Sequence, residues 1–441
     1  MVNYEIFMGK FCEDFKDLTS KISYLKYLGI NNIWITPYLE SPSYHGYDTT
    51  NYYSINRNYG TIEDFEECIK QLKDNNIGVI MDLVLCHTSN EHEWFKKAEE
   101  GIYPYRDYYI WSDVKTELQG YQSCNDQSTN QLDWYWSDKA NKYYRAEFGF
   151  NMPSLNLDNP ELRSEIKNIV KFWISKGVMG FRLDAVLHSH GSDIEASLRF
   201  WSWFRLEVLK INPNIQLVGE CWTEENLVGR YAQTICSCFQ FSTKDSLTYG
   251  INNNCMREIP KWIKLNNNQS DFSNSMMGIF LCNHDTNRIA SELSNNINKL
   301  IYSAAFLLTL KGIPYIYYGD EIGVDGVKWY GDEGVRTDIT KYNHNFKLFN
   351  TYKDLIQIRN NSNALTYGDF IPLWTDNNNA AYFIRKFYNE EIHIIISGEK
   401  NVKINLQHGS FLVLYGSNKG NVVDLCENSN FNEGITILKR L

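Results

Sequence analysis

Four apolar runs, far apart in the chain, each stop on a polar or charged residue. They are residues 78–87 (GVIMDLVLCH), 178–188 (VMGFRLDAVLH), 215–220 (IQLVGE) and 277–285 (MGIFLCNHD). In the second run Arg182 and Asp184 alternate with Phe181 and Leu183. Period-two geometry therefore puts both charges on one face of a strand and the apolar pair on the other. An arginine and a carboxylate on an inward face cost free energy unless they pair or do chemistry. One such run is as compatible with a structural ion pair as with a functional site. Four of them ask for a parallel barrel of buried strands whose polar groups gather at one face.

The rest of the chain fits that frame. Residues 4–8 form a candidate first strand, and 18–28 an amphipathic helix closed by Gly29. Residues 32–37 give the second strand and 62–75 the helix leading to the third. Strand–helix alternation from the first residues indicates an α/β barrel. It stops after His87, where 88–150 is polar, aromatic and without period, the mark of a functional insertion. Pro160 then opens a helix to about residue 176, followed by strand four, a helix over 193–211 and strand five. Residues 235–239 are expected as strand six, 277 opens strand seven, 299–310 is a helix, and strand eight begins at 314. A last helix is expected over 346–359. From about residue 366 the pattern becomes short β runs, as in 380–387, 391–397 and 410–415.

Taken in order, the four runs resemble the motifs of the α-amylase family of glycoside hydrolases (family 13). The resemblance implies a (β/α)8 TIM barrel with a small domain B inserted after strand three and an all-β C-terminal domain. The barrel would take residues 1–87 and 151–365, domain B 88–150, and domain C 366–441. It implies cleavage of α-glucosidic bonds with retention, which needs a carboxylate nucleophile and a carboxylic acid proton donor. Asp184 matches the nucleophile, Glu220 the acid/base and Asp285 the third acid. Arg182 would hold and aim Asp184, with Asp82 orienting Arg182. A neighbouring carboxylate is expected to raise the pKa of Glu220. Tyr47 matches a tyrosine that stacks on the cleaved sugar, with His45 hydrogen-bonding nearby. His87 and His284 are expected as neutral partners of the same sugar, and His188 is retained. Asp332 and Arg336 match a pair that binds the next sugar on the non-reducing side, a surface ion pair being the other reading. The run at 104–111 (PYRDYYIW) is similar to members acting on short α-glucosides.

Four departures matter. Cys86 stands where many members have an asparagine that binds calcium, and a neutral thiol is a poor ligand for a hard cation. The acidic loop that some members carry after strand one is replaced by Cys12-Glu13-Asp14-Phe15-Lys16. Both weigh against calcium, so no cofactor is expected. Leu187 replaces a lysine that binds sugar on the leaving-group side, and Ser154 replaces an aspartate.

A net charge of −10 without a basic block argues against nucleic acid or an anionic membrane surface. The ten cysteines show no zinc-type spacing. No leader-like segment or membrane span is visible, so a cytoplasmic monomer is expected. Within the family the same residues also serve α-1,6-glucosidases and 4-α-glucanotransferases. An inactive glucan-binding member is the non-enzyme alternative; it would be expected to lack one of the three acids, all of which are present.

Overall fold

The computed structural model of the chain describes residues 1–115, 134–270, 276–343 and 345–441. Seven parallel strands form the central sheet: Asn3–Ile6, Asn32–Ile35, Gly78–Leu83, Gly180–Leu183, Gln216–Gly219, Gly278–Phe280 and Ile313–Tyr317. The first pairs with both the second and the last, and the sheet's two edges are Gln216–Gly219 and Gly278–Phe280. The segment between those edges closes the wall. Gly219 N donates to Ser237 O at 2.9 Å and Phe239 N to Gly219 O at 3.0 Å. On the other side Gly278 N donates to Cys238 O and Gln240 N to Gly278 O, both at 2.9 Å. The architecture is thus a (β/α)8 barrel with a C-terminal β domain. The expected strand six is shorter than its apolar run: Ile235 ends the helix Glu225–Ile235, and Cys236, at φ 121°, turns the chain before pairing starts.

Register sets what faces inward. Trp34 lies opposite Ile80, Ile80 opposite Gly180, and Asp82 opposite Arg182, which lies opposite Val218. A side chain at Gly180 would sit 3.0 Å from Gln216 and 3.1 Å from Ile80, close enough that both neighbours would have to shift. Trp34, Ile80, Val218, Phe239, Phe280 and Tyr315 plug the barrel interior, and Asp82 and Arg182 cap that apolar layer.

Helix signals fall where the sequence places them. Thr61 and Asp64 make a capping box for Ile62–Asp74, Asn159 and Pro160 open Pro160–Ser175, and Asp193 caps Ile194–Ile211. The expected helix 18–28 is instead two helices, Phe15–Ser20 and Ile22–Leu28, meeting at Lys21. Gly29, at φ 95°, closes the second.

The insertion carries a three-stranded antiparallel sheet, Trp111–Ser112, Lys142–Arg145 and Trp134–Ser137; the middle of the expected domain B, 116–133, lies outside the described residues. The returning chain docks on the third barrel strand's exit, where Leu155 N donates to Cys86 O and Thr88 N to Pro153 O. Ser154 bridges His87 there through its backbone.

After Tyr367 a six-stranded antiparallel sheet forms, from Asp369–Leu373 to Gly434–Arg440, with a separate two-stranded pair, Val402–Ile404 and Ser429–Phe431. Of two buried arginines here, Arg385 ties it to the barrel, while Arg359 stays within the barrel. Arg359 donates to the carbonyls of Leu308 and Leu310, and Arg385 to those of Thr309 and Gly368. These groups satisfy carbonyls at the end of Ile297–Thr309, which an α-helix leaves unpaired. Among the described residues no helix is long and apolar enough to cross a membrane.

Candidate active site

Arg182 is the hub. It is 1% exposed, and its Nη1 donates to Asp82 Oδ1 at 2.9 Å and to Asp184 Oδ1 at 2.6 Å, while Nη2 lies 2.8 Å from Glu220 Oε2. Burial opposes the guanidinium charge, but Asp82 and Glu220 outweigh it and hold Arg182 well above its ordinary pKa. Asp82 also accepts from Trp34 Nε1 at 3.2 Å and from the Tyr47 hydroxyl at 3.1 Å. A structural ion pair needs one acid; here one cation faces three.

Ala185 follows Asp184 in a left-handed conformation, φ 45° and ψ 47°, which non-glycine residues rarely adopt. That turn aims its N–H at Glu220 Oε2, 3.0 Å away. The Glu220 pKa is raised, chiefly by burial, with Asp184 and Asp285 adding to the shift and Arg182 opposing it. The neighbouring carboxylate expected as the cause is therefore the smaller contribution. A raised carboxyl beside a guanidinium-bound carboxylate is the pairing that lets one acid donate a proton while the other stays an anion.

Opposite stands Asp285. Arg336 Nη2 donates to its Oδ1 at 2.9 Å, and His284 Nε2 lies 2.9 Å from its Oδ2. Burial would raise the Asp285 pKa, but His284 and Arg336 prevail and hold it well below the usual carboxylate range. His284 departs from the expectation of a neutral ring. Burial disfavours its charge, yet Asp285 on one nitrogen and Glu5, 2.6 Å from the other, lift its pKa to about 10. It is an imidazolium at neutral pH, stacked on Tyr47, whose hydroxyl is 2.6 Å from Nε2.

The sign of the linkage is fixed by that upward shift. The His284 charge contributes stability that is fully present below the ordinary histidine pKa of about 6.5 and is lost as pH climbs through about 10. Glu5→Gln should cost about 1–3 kcal/mol at pH 7. Melting temperatures of the two proteins, followed from pH 7 to 11, should converge as the pH passes 10; a constant gap would contradict the charged ring.

The catalytic and substrate-binding residues singled out from sequence lie around this cluster. His87 Nε2 is 3.0 Å from Tyr47 O, its Nδ1 is buried without a hydrogen-bond partner among the described residues, and burial lowers its pKa to about 4. His45 accepts from Tyr47 N at 3.1 Å and stacks on Tyr47. His188 is held from the insertion, its Nδ1 2.8 Å from Glu147 Oε2. Arg336 is 3% exposed and also donates to the Tyr44 hydroxyl, so its end of the pair is buried. Asp332, half exposed, lies 3.4 Å from it at the rim. Leu187 packs into the main apolar core.

Sequence reasoning missed Glu5, Glu147 and Phe148. The ring of Phe148 lies 5.0 Å from that of His87 and 4.8 Å from that of His188. Glu5, a charge on a strand otherwise buried, carried the same signal as Arg182. Nothing periodic marks the other two.

The calcium position fails on chemistry. Burial holds the Cys86 thiol neutral, and its Sγ lies 3.3 Å from Ala185 O. After the first strand, Asp14 caps Phe15–Ser20 and Asp17 pairs with Lys21. None of these groups is arranged for a hard cation.

Comparison with known proteins agrees with this geometry. The family model described as "Alpha amylase, catalytic domain" matches residues 8–345. Alpha-amylase 3 of Dictyoglomus thermophilum is 35% identical over 89% of this chain and 83% of its own length. The 4-alpha-glucanotransferase of Thermotoga neapolitana is 33% identical over 79% of this chain and 77% of its own. Among solved structures, the alpha-amylase from H. orenii superposes with a TM-score of 0.86 at 27% identity, covering 100% of this chain and 99% of that one. The chain belongs to the α-amylase family of glycoside hydrolases, family 13.

Proposed function

We propose that this enzyme is a retaining α-glucan hydrolase of the α-amylase type, cleaving α-1,4 bonds in maltooligosaccharides and starch. The observation that carries it is the placement of Asp184 and Glu220 on the two terminal nitrogens of one buried guanidinium. Residues 1–87 and 151–365 serve as the catalytic barrel, 88–150 as a wall of the cleft, and 366–441 as a supporting β domain.

In this reading the glucan lies over Tyr47 with its scissile bond between the two carboxyls. Asp184, aimed by Arg182, attacks the anomeric carbon, and protonated Glu220 gives its proton to the departing oxygen. The glycosyl-enzyme ester forms as the leaving sugar departs with that proton. Glu220, now ionised and steadied by Ala185 N–H, takes a proton from water, which releases the sugar from Asp184. Asp285, kept ionised by His284 and Arg336, accepts hydrogen bonds from ring hydroxyls, and these strengthen as the ring flattens. The unpartnered Nδ1 of His87 supplies one further contact.

Water and a sugar acceptor compete for one covalent intermediate. Similarity to both an alpha-amylase and a 4-alpha-glucanotransferase keeps that contest in the test. With Leu187 buried, a cationic contact on the leaving-group side is absent at that position, and each distal hydrogen bond is worth about 0.5–1.5 kcal/mol. Long chains should therefore gain little. The specificity constant on maltooligosaccharides of a few units should equal or exceed that on soluble starch per accessible bond, with some transfer products at high sugar concentration. A strong preference for starch would overturn the maltodextrin substrate. Products dominated by chains longer than the substrate would make the enzyme a transferase, and faster cleavage of isomaltose-type than maltose-type bonds would reassign the linkage.

A further inference from the structure

A cleft of about 560 Å³ opens between the barrel and the C-terminal sheet. Helices Ile297–Thr309 and Phe346–Asn360 form one side, and strands Gly409–Tyr415 and Gly434–Arg440 the other. No lining residue belongs to the catalytic cluster, and no step of the proposed reaction reaches it. The volume is that of a site for one small molecule.

Polarity in the cleft changes with depth. Ile301, Tyr302 and Ile435 are buried, whereas Lys347, Asn350 and Glu433 are exposed at the mouth. Glu433 Oε1 accepts from Asn298 Nδ2 at 3.1 Å and from the Tyr302 hydroxyl at 3.4 Å, which leaves Oε2 to a ligand. Among the described residues neither the Lys347 ammonium nor the Asn350 amide makes a hydrogen bond. The mouth thus carries a group that only donates, a group that only accepts and an amide that does both. Lys347 repels a cation and Glu433 repels an anion. A neutral molecule with adjacent hydroxyls satisfies both, because each hydroxyl can donate to one and accept from the other. A pyranose adds a face of C–H groups for Ile301 and Ile435 to cover.

We propose that this cleft is a second carbohydrate site, separate from the catalytic one, for a neutral sugar of one or two pyranose rings. Such sugars are products of the reaction proposed above, so the choice of maltose as occupant rests on that reading. Lys347, Asn350 and Ile301 come from barrel helices, and Glu433 and Ile435 from the C-terminal domain. A bound sugar therefore bridges the two and stabilises them together, by an amount that grows with its concentration.

The test is the rise in melting temperature that maltose gives the full chain carrying Asp184→Asn, which binds sugar without consuming it. Adding Asn350→Trp, an exposed substitution that fills the mouth, should cut that rise by roughly half, one of two sites being closed. Lys347→Ala should cut it less. The general stabilisation that any concentrated sugar gives is common to all three proteins and cancels in the comparison. Melting without maltose checks that neither added substitution disturbs the fold. With Asp184 restored, both variants should cleave maltooligosaccharides at the native rate. An equal rise in all three proteins overturns the second site, and so does a loss of turnover in either variant. A native enzyme that leaves maltooligosaccharides intact overturns the glucan activity, while the difference between Asn350→Trp and its parent still decides the cleft.

Discussion

Asp184→Asn should lower turnover on maltooligosaccharides by roughly 10⁴-fold or more, as removal of a nucleophile does elsewhere. The amide keeps the shape of the carboxylate and still accepts from Arg182 Nη1, but it cannot form the glycosyl ester. Folding should survive, because Arg182 retains Asp82 and Glu220 as partners, and Asp82 is further held by Trp34 and Tyr47. Affinity for substrate should change little, since Asp285, Arg336 and Tyr47 are untouched. Calorimetric binding of a maltooligosaccharide beside steady-state turnover separates the two effects. A variant that keeps a tenth of native turnover would mean that Asp184 is not the nucleophile.

Glu220→Gln should show a loss that depends on the leaving group. On an ordinary sugar leaving group, general acid assistance is worth about 10²–10⁴-fold, and the amide forfeits it. On an α-glucoside with a nitrophenolate leaving group, formation of the covalent intermediate needs no proton, so that step should proceed close to the native rate. Breakdown of the intermediate still lacks its base, and a burst followed by slow turnover is the expected trace. The amide oxygen can still accept from Ala185 N–H, so the substitution should be locally quiet. Equal losses on both substrates would falsify Glu220 as the proton donor. If the chain were only a glucan-binding member of the family, neither substrate would turn over in the native protein.

Why these acids were legible from sequence, and others were not, has a physical basis. Asp184, Glu220 and Asp285 each follow a strand whose apolar residues have no use for a charge, so the exceptions stand out. Glu5 obeys the same rule on the first strand, yet that strand ends in apolar residues rather than on the acid, which hid it. The charge of His284 could be read only in part from its neighbour Asp285, the larger of its two acidic partners. The other partner, Glu5, is 279 residues away in sequence and is brought alongside only when the barrel closes. Glu147 and Phe148 reach the cleft from an insertion without period, where no pattern says which way a side chain faces. The seam at Ser237–Gln240 was misjudged because closing a barrel there takes a few backbone hydrogen bonds rather than a full strand. The break at Lys21 was invisible because both short helices share one apolar stripe, with Leu18, Ile22, Leu25 and Leu28 all buried.

The arginines at the barrel's far side bear on how freely the molecule can be divided. Helix Ile297–Thr309 ends inside the protein, and its last carbonyls accept from Arg359 and Arg385 instead of from water or a glycine turn. Arg385 belongs to the C-terminal sheet, so part of a barrel helix's cap is encoded 76 residues downstream of the carbonyl it satisfies. A ribosome that has finished the last barrel helix has therefore not yet finished the barrel. Until Arg385 emerges, the carbonyl of Thr309 must find another partner or keep its end of the helix frayed. The β sheet behind the catalytic fold thus supplies one of its hydrogen bonds, and a sheet swapped in from a relative would leave that carbonyl unpaired unless it brought a donor to the same place.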